Sequence, residues 1–552
     1  MLEIAIIKYA RKGRFLSGDR IPKERTSAAR NKGMNTQRFI IQLIPFGILA
    51  LAVAMLSGTT FAQQGSASDA SSLPKAQQVT PSGRATSGGG GVQAQQSSNG
   101  NGGTSSVNTV NSTIQVSGAY LGSIPDPNAP HVPLTLNIAE AIGRGLRFNL
   151  GAISANSSVR QLRGQRLAAL SLMLPNIYAT LSETGAKIDL QAQGLTTLGT
   201  TTLPTTVGPF HYYSALANVA ENFSITSLHN LRQAQASADA AQMSAQDARE
   251  LITLAVSGTY LQILTSKANV ASQEAQVKQA EATFKQSEDR YAAGTKPVID
   301  RNRTFVEFHT QQQRLTSLRG DLVKQTMQLD RLIGLPVGQL LTLSEDLPAQ
   351  VPEAISLDEA IKLALDKRSD LKAARLQFKA ASEAHRASKA EYLPAFAVDG
   401  DYGLQGINPN KGASVFEASG TVTIPIFQSG RVKADIEQAD AALSQRQAEY
   451  EDEEGVVELD VRQAYVDLQV ATEQIAVARE NRRVAAETLR ESLDRFSAGV
   501  ADSVEVVQSQ ETVASAERDY ISSLFSLNLS RINLARATGQ AEQFIPNMLK
   551  GN

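Results

Sequence analysis

Residue types able to do chemistry are sparse in this 552-residue chain, and their spacing argues against a reaction centre. Cysteine is absent, which removes disulfides, thiolate-bound metals and an acylated N-terminal cysteine as an anchor. The histidines, His131, His211, His229, His309 and His385, show no Glu-x-x-His or paired metal spacing, so each is expected to stand alone rather than bind a metal. No serine sits in a nucleophile-elbow context, and the glycine run at 88–91 lacks the Gly-Lys-Ser/Thr ending of a phosphate cradle. What recurs is a carboxylate at a fixed distance from a glycine: Asp300 lies six residues after Gly294, and Glu505 six after Gly499. Glycine there ends one helix in a left-handed turn, and the acid stands at the start of the next, where the dipole favours it by about 0.3 to 1 kcal/mol. This is chemistry of charge placement; no catalytic, cofactor or metal site is expected.

Two long helices must hold those turns in place. Proline is absent between Pro209 and Pro297 and between Pro425 and Pro546, so helices over 231–293 and 432–498 can run unbroken. At 1.5 Å per residue, about 63 and 67 residues give roughly 95 and 100 Å, far beyond the average helix of about 11 to 12 residues. Shorter helices are expected at 150–173 and 370–392 before, and at 300–333 and 505–538 after. End to end these match one long helix, which predicts antiparallel pairs.

The chain is a tandem duplication. Leu174-Pro175 and Leu393-Pro394 lie 219 apart, and Tyr260, Arg290, Gly294 and Gly334 match Tyr465, Arg495, Gly499 and Gly539 at 205. The difference is taken up by a Thr-rich loop at 194–209 and by a few extra residues near the acidic run 451–455, expected to be a solvated helix face. After each Leu-Pro the period switches to two. Phe396, Val398, Gly400, Tyr402 and Leu404 alternate with Ala397, Asp399, Asp401 and Gly403, and Phe416 to Ile424 repeat the pattern after a turn at 408–412. Ile177, Ala179 and Leu181 begin a fainter strand of repeat one, and 213–225 carries its partner. Each run reaches the about 9 to 11 residues of a tilted bilayer-crossing strand, but four strands cannot close a barrel alone.

The organisation that follows is an N-terminal extension and signal peptide (1–62), a low-complexity disordered linker (63–135), repeat one (136–335), a connecting segment (336–356), repeat two (357–540) and a C-terminal tail (541–552). The first 62 residues hold ten Lys or Arg against three acids and an apolar run at 39–56 before Ala62, which predicts cleavage ahead of Gln63. The remainder is mildly acidic, 43 bases against 51 acids, which leaves no nucleic-acid footprint.

In this order and spacing, twice over, the Leu-Pro pairs, the 424–431 exit (Ile-Pro-Ile-Phe-Gln-Ser-Gly-Arg) and the turns at Gly294 and Gly499 resemble the outer-membrane factor family, the TolC-like outer membrane efflux proteins. The resemblance implies a mainly α fold with a β-barrel portion. A TolC-like homotrimer would carry four transmembrane β-strands per chain in outer-membrane lipid, and long antiparallel helices would form a periplasmic α-barrel. It implies a non-enzymatic exit duct of a tripartite efflux pump or type I secretion system, without cofactor. The partners implied are a periplasmic adaptor and an inner-membrane pump of RND, ABC or MFS type. Adaptor docking then falls to Ala293, Gly294, Thr295, Ala498, Gly499 and Val500, and the acids narrowing the lumen are Asp300, Glu505 and Asp502. The chain departs from the family at Gln508 and Ala501, where a second acid and a bracing arginine often stand. The competing reading is a periplasmic or surface coiled-coil scaffold without a pore.

Overall fold

The computed structural model describes residues 92–98, 110–129, 133–192, 194, 197–198, 201–349 and 355–548. The expected signal peptide and the linker ahead of residue 92 lie outside the described residues. The elements run β1 (Val92–Ser98), β2 (Val110–Val116), β3 (Leu134–Leu136), α1 (Ile138–Phe148), α2 (Leu150–Ser171), β4 (Asn176–Asp189), the two-residue β5 (Thr197–Leu198) and β6 (Thr201–Thr202), β7 (Thr206–Phe223), α3 (Ile225–Ala292) and α4 (Val298–Ile333). They continue with β8 (Leu341–Leu343), α5 (Leu357–Lys367), α6 (Ser369–Ala390), β9 (Ala395–Gly406), β10 (Gly412–Thr423), α7 (Arg431–Ser497), α8 (Ser503–Ala537) and α9 (Ala541–Met548).

The long helices α3 and α7 hold 68 and 67 residues, each slightly longer than expected at its N-terminus. Ser224 starts α3 by accepting the Ser227 amide at 2.9 Å, satisfying one of the four orphan donors of a helix start. The acidic run 451–455 continues α7 without a break. Along α3 pack α2 and α4 of its own repeat and α6 and α8 of the other.

The four strands expected to span lipid form one antiparallel sheet in the order β4-β7-β9-β10, so β4 and β10 are its edges. Its register, with Ile177 opposite Val219, Phe223 opposite Phe396 and Tyr402 opposite Phe416, sorts the side chains by face. One face carries Ile177, Leu181, Val219, Phe223, Phe396, Val398, Tyr402 and Phe416, interrupted by Glu221 beside Val398. The other carries Thr180, Ser182, Ser214, Asn218, Asp399, Asp401 and Ser419, with Asn218 donating to the Thr180 hydroxyl at 3.0 Å. Strand β7 departs from the expected loop at 194–209. It begins at Thr206 and pairs with β4 out to Asp189, the register shifting between Ala186 and Ile188 where Pro209 has no amide to give. The loop is confined to 190–205 and contains the β5–β6 pair.

The largest core lies where the chain's non-repeated segments cross the helices. Leu136, Ile138, Ile252, Tyr260, Leu261, Leu329, Ile333, Leu529, Ile532 and Ile545 are buried together. The Tyr260 hydroxyl, fully buried, donates to the Leu136 carbonyl at 3.0 Å. Short apolar stretches from outside the repeats find this core, and one of them lies where disorder is expected. Within the segment expected to be disordered, β1 and β2 form an antiparallel hairpin, and Ile114 seats where a side chain on Gly258 would meet its Cδ1 at 1.7 Å. The connecting segment pairs β8 in parallel with β3. The C-terminal tail forms α9 with Ala541 and Ile545 buried.

Candidate functional site

Both helix turns are built as expected. Gly294 adopts φ +70° and Gly499 φ +80°, the left-handed region where a Cβ is costly. In repeat one Gly294 N–H donates to Tyr291 O at 2.9 Å and Thr295 N–H to Arg290 O at 2.9 Å. In repeat two Gly499 N–H donates to Phe496 O at 3.0 Å and Val500 N–H to Arg495 O at 3.1 Å. Asp502 caps α8 by accepting the amides of Val504 and Glu505, both at 3.1 Å, while Pro297 precedes α4 with no side-chain cap. Ala293, Gly294, Thr295, Ala498, Gly499 and Val500 are all exposed, and Tyr291, Val298 and Ile299 extend that surface with apolar side chains.

The two acids that the duplication makes equivalent have unlike surroundings. Asp300 is 8% exposed, accepts the Ser503 hydroxyl at 2.7 Å and lies 3.6 Å from the Arg303 guanidinium, which itself donates to Ser503 at 3.1 Å. The Asp300 carboxylate thereby closes a bond between α4 and α8. The difference rests on Ser503, whose counterpart in repeat one is Val298. Glu505 is half-exposed in the first turn of α8, 3.3 Å from Arg495 Nε, and Asp502 is exposed beyond it.

A second cross-repeat bond escaped sequence reasoning. Arg290 donates to the Phe496 carbonyl at 2.9 Å and the Ser497 carbonyl at 3.1 Å, and its guanidinium lies 4.7 Å from the Phe496 ring centroid. A cation on the last carbonyls of a helix answers its dipole and satisfies its orphan acceptors. Phe496 is buried there with Ala501 and Val506. The available signal was an arginine standing four residues before the turn glycine in both repeats.

A third group also went unread. Farther from the turns, Arg368 donates to Asp370 at 3.0 Å and to Asp460 at 2.8 Å, and Arg536 contacts Asp247, Glu250 and Asp370. This ties α3, α6, α7 and α8 together. Burial pushes the Glu250 carboxyl up to about 7 against the pull of Arg536, and burial raises Asp247 too. Asp370, although burial opposes it, is held at about 2 by the hydrogen bonds and charge of Arg368. Of the histidines, His229 is not a free surface residue: its Nδ1 sits 2.7 Å from the Glu383 carboxylate, joining α3 to α6. Among the described residues no cluster of three or more His, Asp or Glu is arranged to hold a metal ion.

Comparison with known proteins agrees with this architecture. The chain is 26% identical over 310 residues to the pyoverdine export outer membrane protein OpmQ of Pseudomonas putida, covering 54% of this chain and 63% of that protein. It is 25% identical over 256 residues to the toluene efflux pump outer membrane protein TtgC of Pseudomonas putida, covering 42% and 52%. The matches thus span less than two thirds of these relatives. Among solved structures, the Campylobacter jejuni CmeC outer membrane channel superposes with a TM-score of 0.64 at 13% identity, over 77% of this chain and 92% of that one. The outer membrane protein VceC of Vibrio cholerae gives 0.61 at 18%, over 73% and 96%. At such identities the likeness speaks for the fold. The family model described as outer membrane efflux protein matches residues 213–335 and 360–540, more than half of the chain and most of both repeats. By that match, and by a fold its members share, the chain belongs to the outer membrane efflux protein family.

Proposed function

We propose that the chain is one third of a passive exit duct. In this reading three copies join β4 of one to β10 of the next, closing twelve strands in the outer membrane, and the helices continue the tube through the periplasm. An adaptor docks at the exposed turns around Gly294 and Gly499, and an inner-membrane pump of RND, ABC or MFS type, or a type I secretion transporter, delivers the cargo. Its family and structural neighbours are outer-membrane channels rather than enzymes, and the chain is an outer-membrane protein extending into the periplasm. OpmQ is named for pyoverdine and TtgC for toluene, cargoes so unlike that they favour a duct whose selectivity lies mostly in its partners.

The observation that carries the reading is the sheet. Its two edges leave unpaired backbone donors and acceptors, its faces divide into apolar and polar, and four strands are half of the about eight that the smallest outer-membrane barrels use. Other copies of the same chain remove both edges at once. A scaffold without a pore would not need a 12-residue β10 with Phe416, 79% exposed, on its outer face. Washing membranes with alkaline carbonate separates the two. The duct stays in the outer-membrane pellet, whereas release into the wash would favour the scaffold.

A further inference from the structure

Helices α3, α4, α7 and α8 line a crevice between the large core and the turns. Its volume of about 650 Å³ falls within the roughly 300 to 1,000 Å³ of small-molecule sites, and its walls are mostly apolar, with Leu264, Ala271, Leu347, Leu489, Val513 and Ile521 among them. Two cations on it are already paired, Lys267 with Asp346 at 3.4 Å and Arg482 with Glu517 at 2.8 Å. Glu307 is the lining acid without a cation partner among the described residues. It ends a relay of amides whose direction the chemistry settles. A carboxylate only accepts, so Gln311 Nε2 donates to Glu307 at 2.5 Å and turns its Oε1 to Gln273 Nε2 at 2.6 Å. Gln510 is oriented in the same way. The Thr283 hydroxyl gives its proton to the Gln279 carbonyl at 3.0 Å, so it accepts from Gln510 Nε2, also at 3.0 Å. That leaves Gln510 Oε1, on a side chain 8% exposed, buried with no hydrogen-bond partner among the described residues. Gln276 Oε1, on the same crevice, is in the same state. Buried acceptors without donors are rare enough that each asks for a reason.

The fold does not require this arrangement. At the repeat offset of 205, Gln273, Glu307 and Gln311 become Ala478, Thr512 and Ala516, and α7 and α8 pack together without the relay. We propose that the crevice binds a small amphipathic cation, with an apolar body between the helix pairs and a protonated amine that gives its protons to Glu307 and to the unpaired amide oxygens. An ammonium group supplies donors only, and here the unmatched groups are all acceptors. A hydrogen bond to an ionised partner is also the stronger kind, which favours an amine over a neutral alcohol of the same size. The site belongs to one chain, so it does not depend on the three-fold assembly. Because Glu307 stands on α4 and Gln510 on α8, the bound amine ties the two returning helices to each other.

The chain has no tryptophan, so naphthalene fluorescence reads binding against tyrosine alone. Full-length protein in lipid nanodiscs is titrated at neutral pH with 1-naphthylmethylamine and, as the matched anion, 1-naphthylacetate. The proposal expects one saturable amine site per chain and roughly 10-fold or more weaker binding of the anion. Glu307→Gln keeps an acceptor for Gln311 and removes the charge. It should weaken the amine by about 10-fold and leave the anion unchanged. Ala271→Phe fills the crevice from an exposed position and should abolish saturable binding, with helicity by circular dichroism unchanged in both variants. Amine and anion that bind alike, or amine that never saturates, would show partition into apolar surface or lipid and overturn the proposal. Saturable binding that survives both substitutions would place the amine elsewhere and overturn it too. On the parent protein, saturating amine should slow amide hydrogen exchange across 303–315 and 506–520 and leave 440–470 unchanged; no local slowing would remove the amine from this crevice.

Discussion

Ser503, at the first turn of α8, donates its hydroxyl to the Asp300 carboxylate of α4 at 2.7 Å, with neither group exposed by more than 8%. One repeat thereby fastens the returning helix of the other, close to the turns. Ser503→Val, which installs the residue of repeat one, leaves Asp300 buried with only Arg303 to face. A buried acceptor that loses its donor costs about 1 to 3 kcal/mol. Amide hydrogen exchange across 490–510 should therefore speed up by roughly 5- to 100-fold, with 440–480 unchanged. Unchanged exchange at the turns would show that the bond does not restrain them.

In the proposed duct, Glu505 and Asp502 are the more exposed of the candidate acids near the turns. If three copies bring Glu505 to one axis, its charges attract cations and repel anions. Glu505→Gln should then lower cation preference in planar bilayers and weaken block by multivalent cations added on the periplasmic side, with trimer stability little changed. Should Asp502→Asn reproduce this and Glu505→Gln not, the constriction belongs to the cap residue; no effect from either would mean that no acidic ring exists.

The loop at 190–205 joins two strands on the side of the sheet away from the helices. Ala192 is exposed there, so Ala192→Cys should react on intact cells with a membrane-impermeant maleimide. Labelling only after the outer membrane is broken would reverse the orientation.

The buried charge group makes stability depend on pH in two senses. Glu250 takes up protons more readily folded, with its value near 7 against 4.5 unfolded, so stability falls as pH rises through that window. Asp370 acts oppositely: its stabilisation is complete above 3.8 and is lost as pH falls toward 2. Denaturant unfolding should show greatest stability between about 4 and 5 where this group dominates. Glu250→Gln should flatten the decline toward pH 7; a decline of unchanged slope would place its origin elsewhere.

The regular parts of the fold were open to sequence reasoning because period and punctuation carry them. Proline-free stretches predict α7 to within one residue at each end and α3 to within six, alternation predicts β9 and β10, and Gly294 and Gly499 mark the turns. What escaped depends on distant partners. Val92, Ile114 and Val116 sit in a polar, low-complexity stretch, yet they reach the large core, with Ile114 seated in a notch at Gly258 on α3. Asp300 and Glu505 look alike at equal distance from their glycines, yet Ser503 in place of Val298 gives them different surroundings. Arg290 served only as a repeat marker, because its acceptors lie more than two hundred residues away.

The central claim is a water-filled passage, and planar bilayers test it most directly. Purified trimers of the parent and of Ser503→Val are added to the same membrane at fixed voltage and salt. The account predicts discrete ohmic conductance steps that are larger or more frequent in Ser503→Val, because the turns are less tightly fastened. Membrane-inserted trimers of both proteins that pass no current would contradict it.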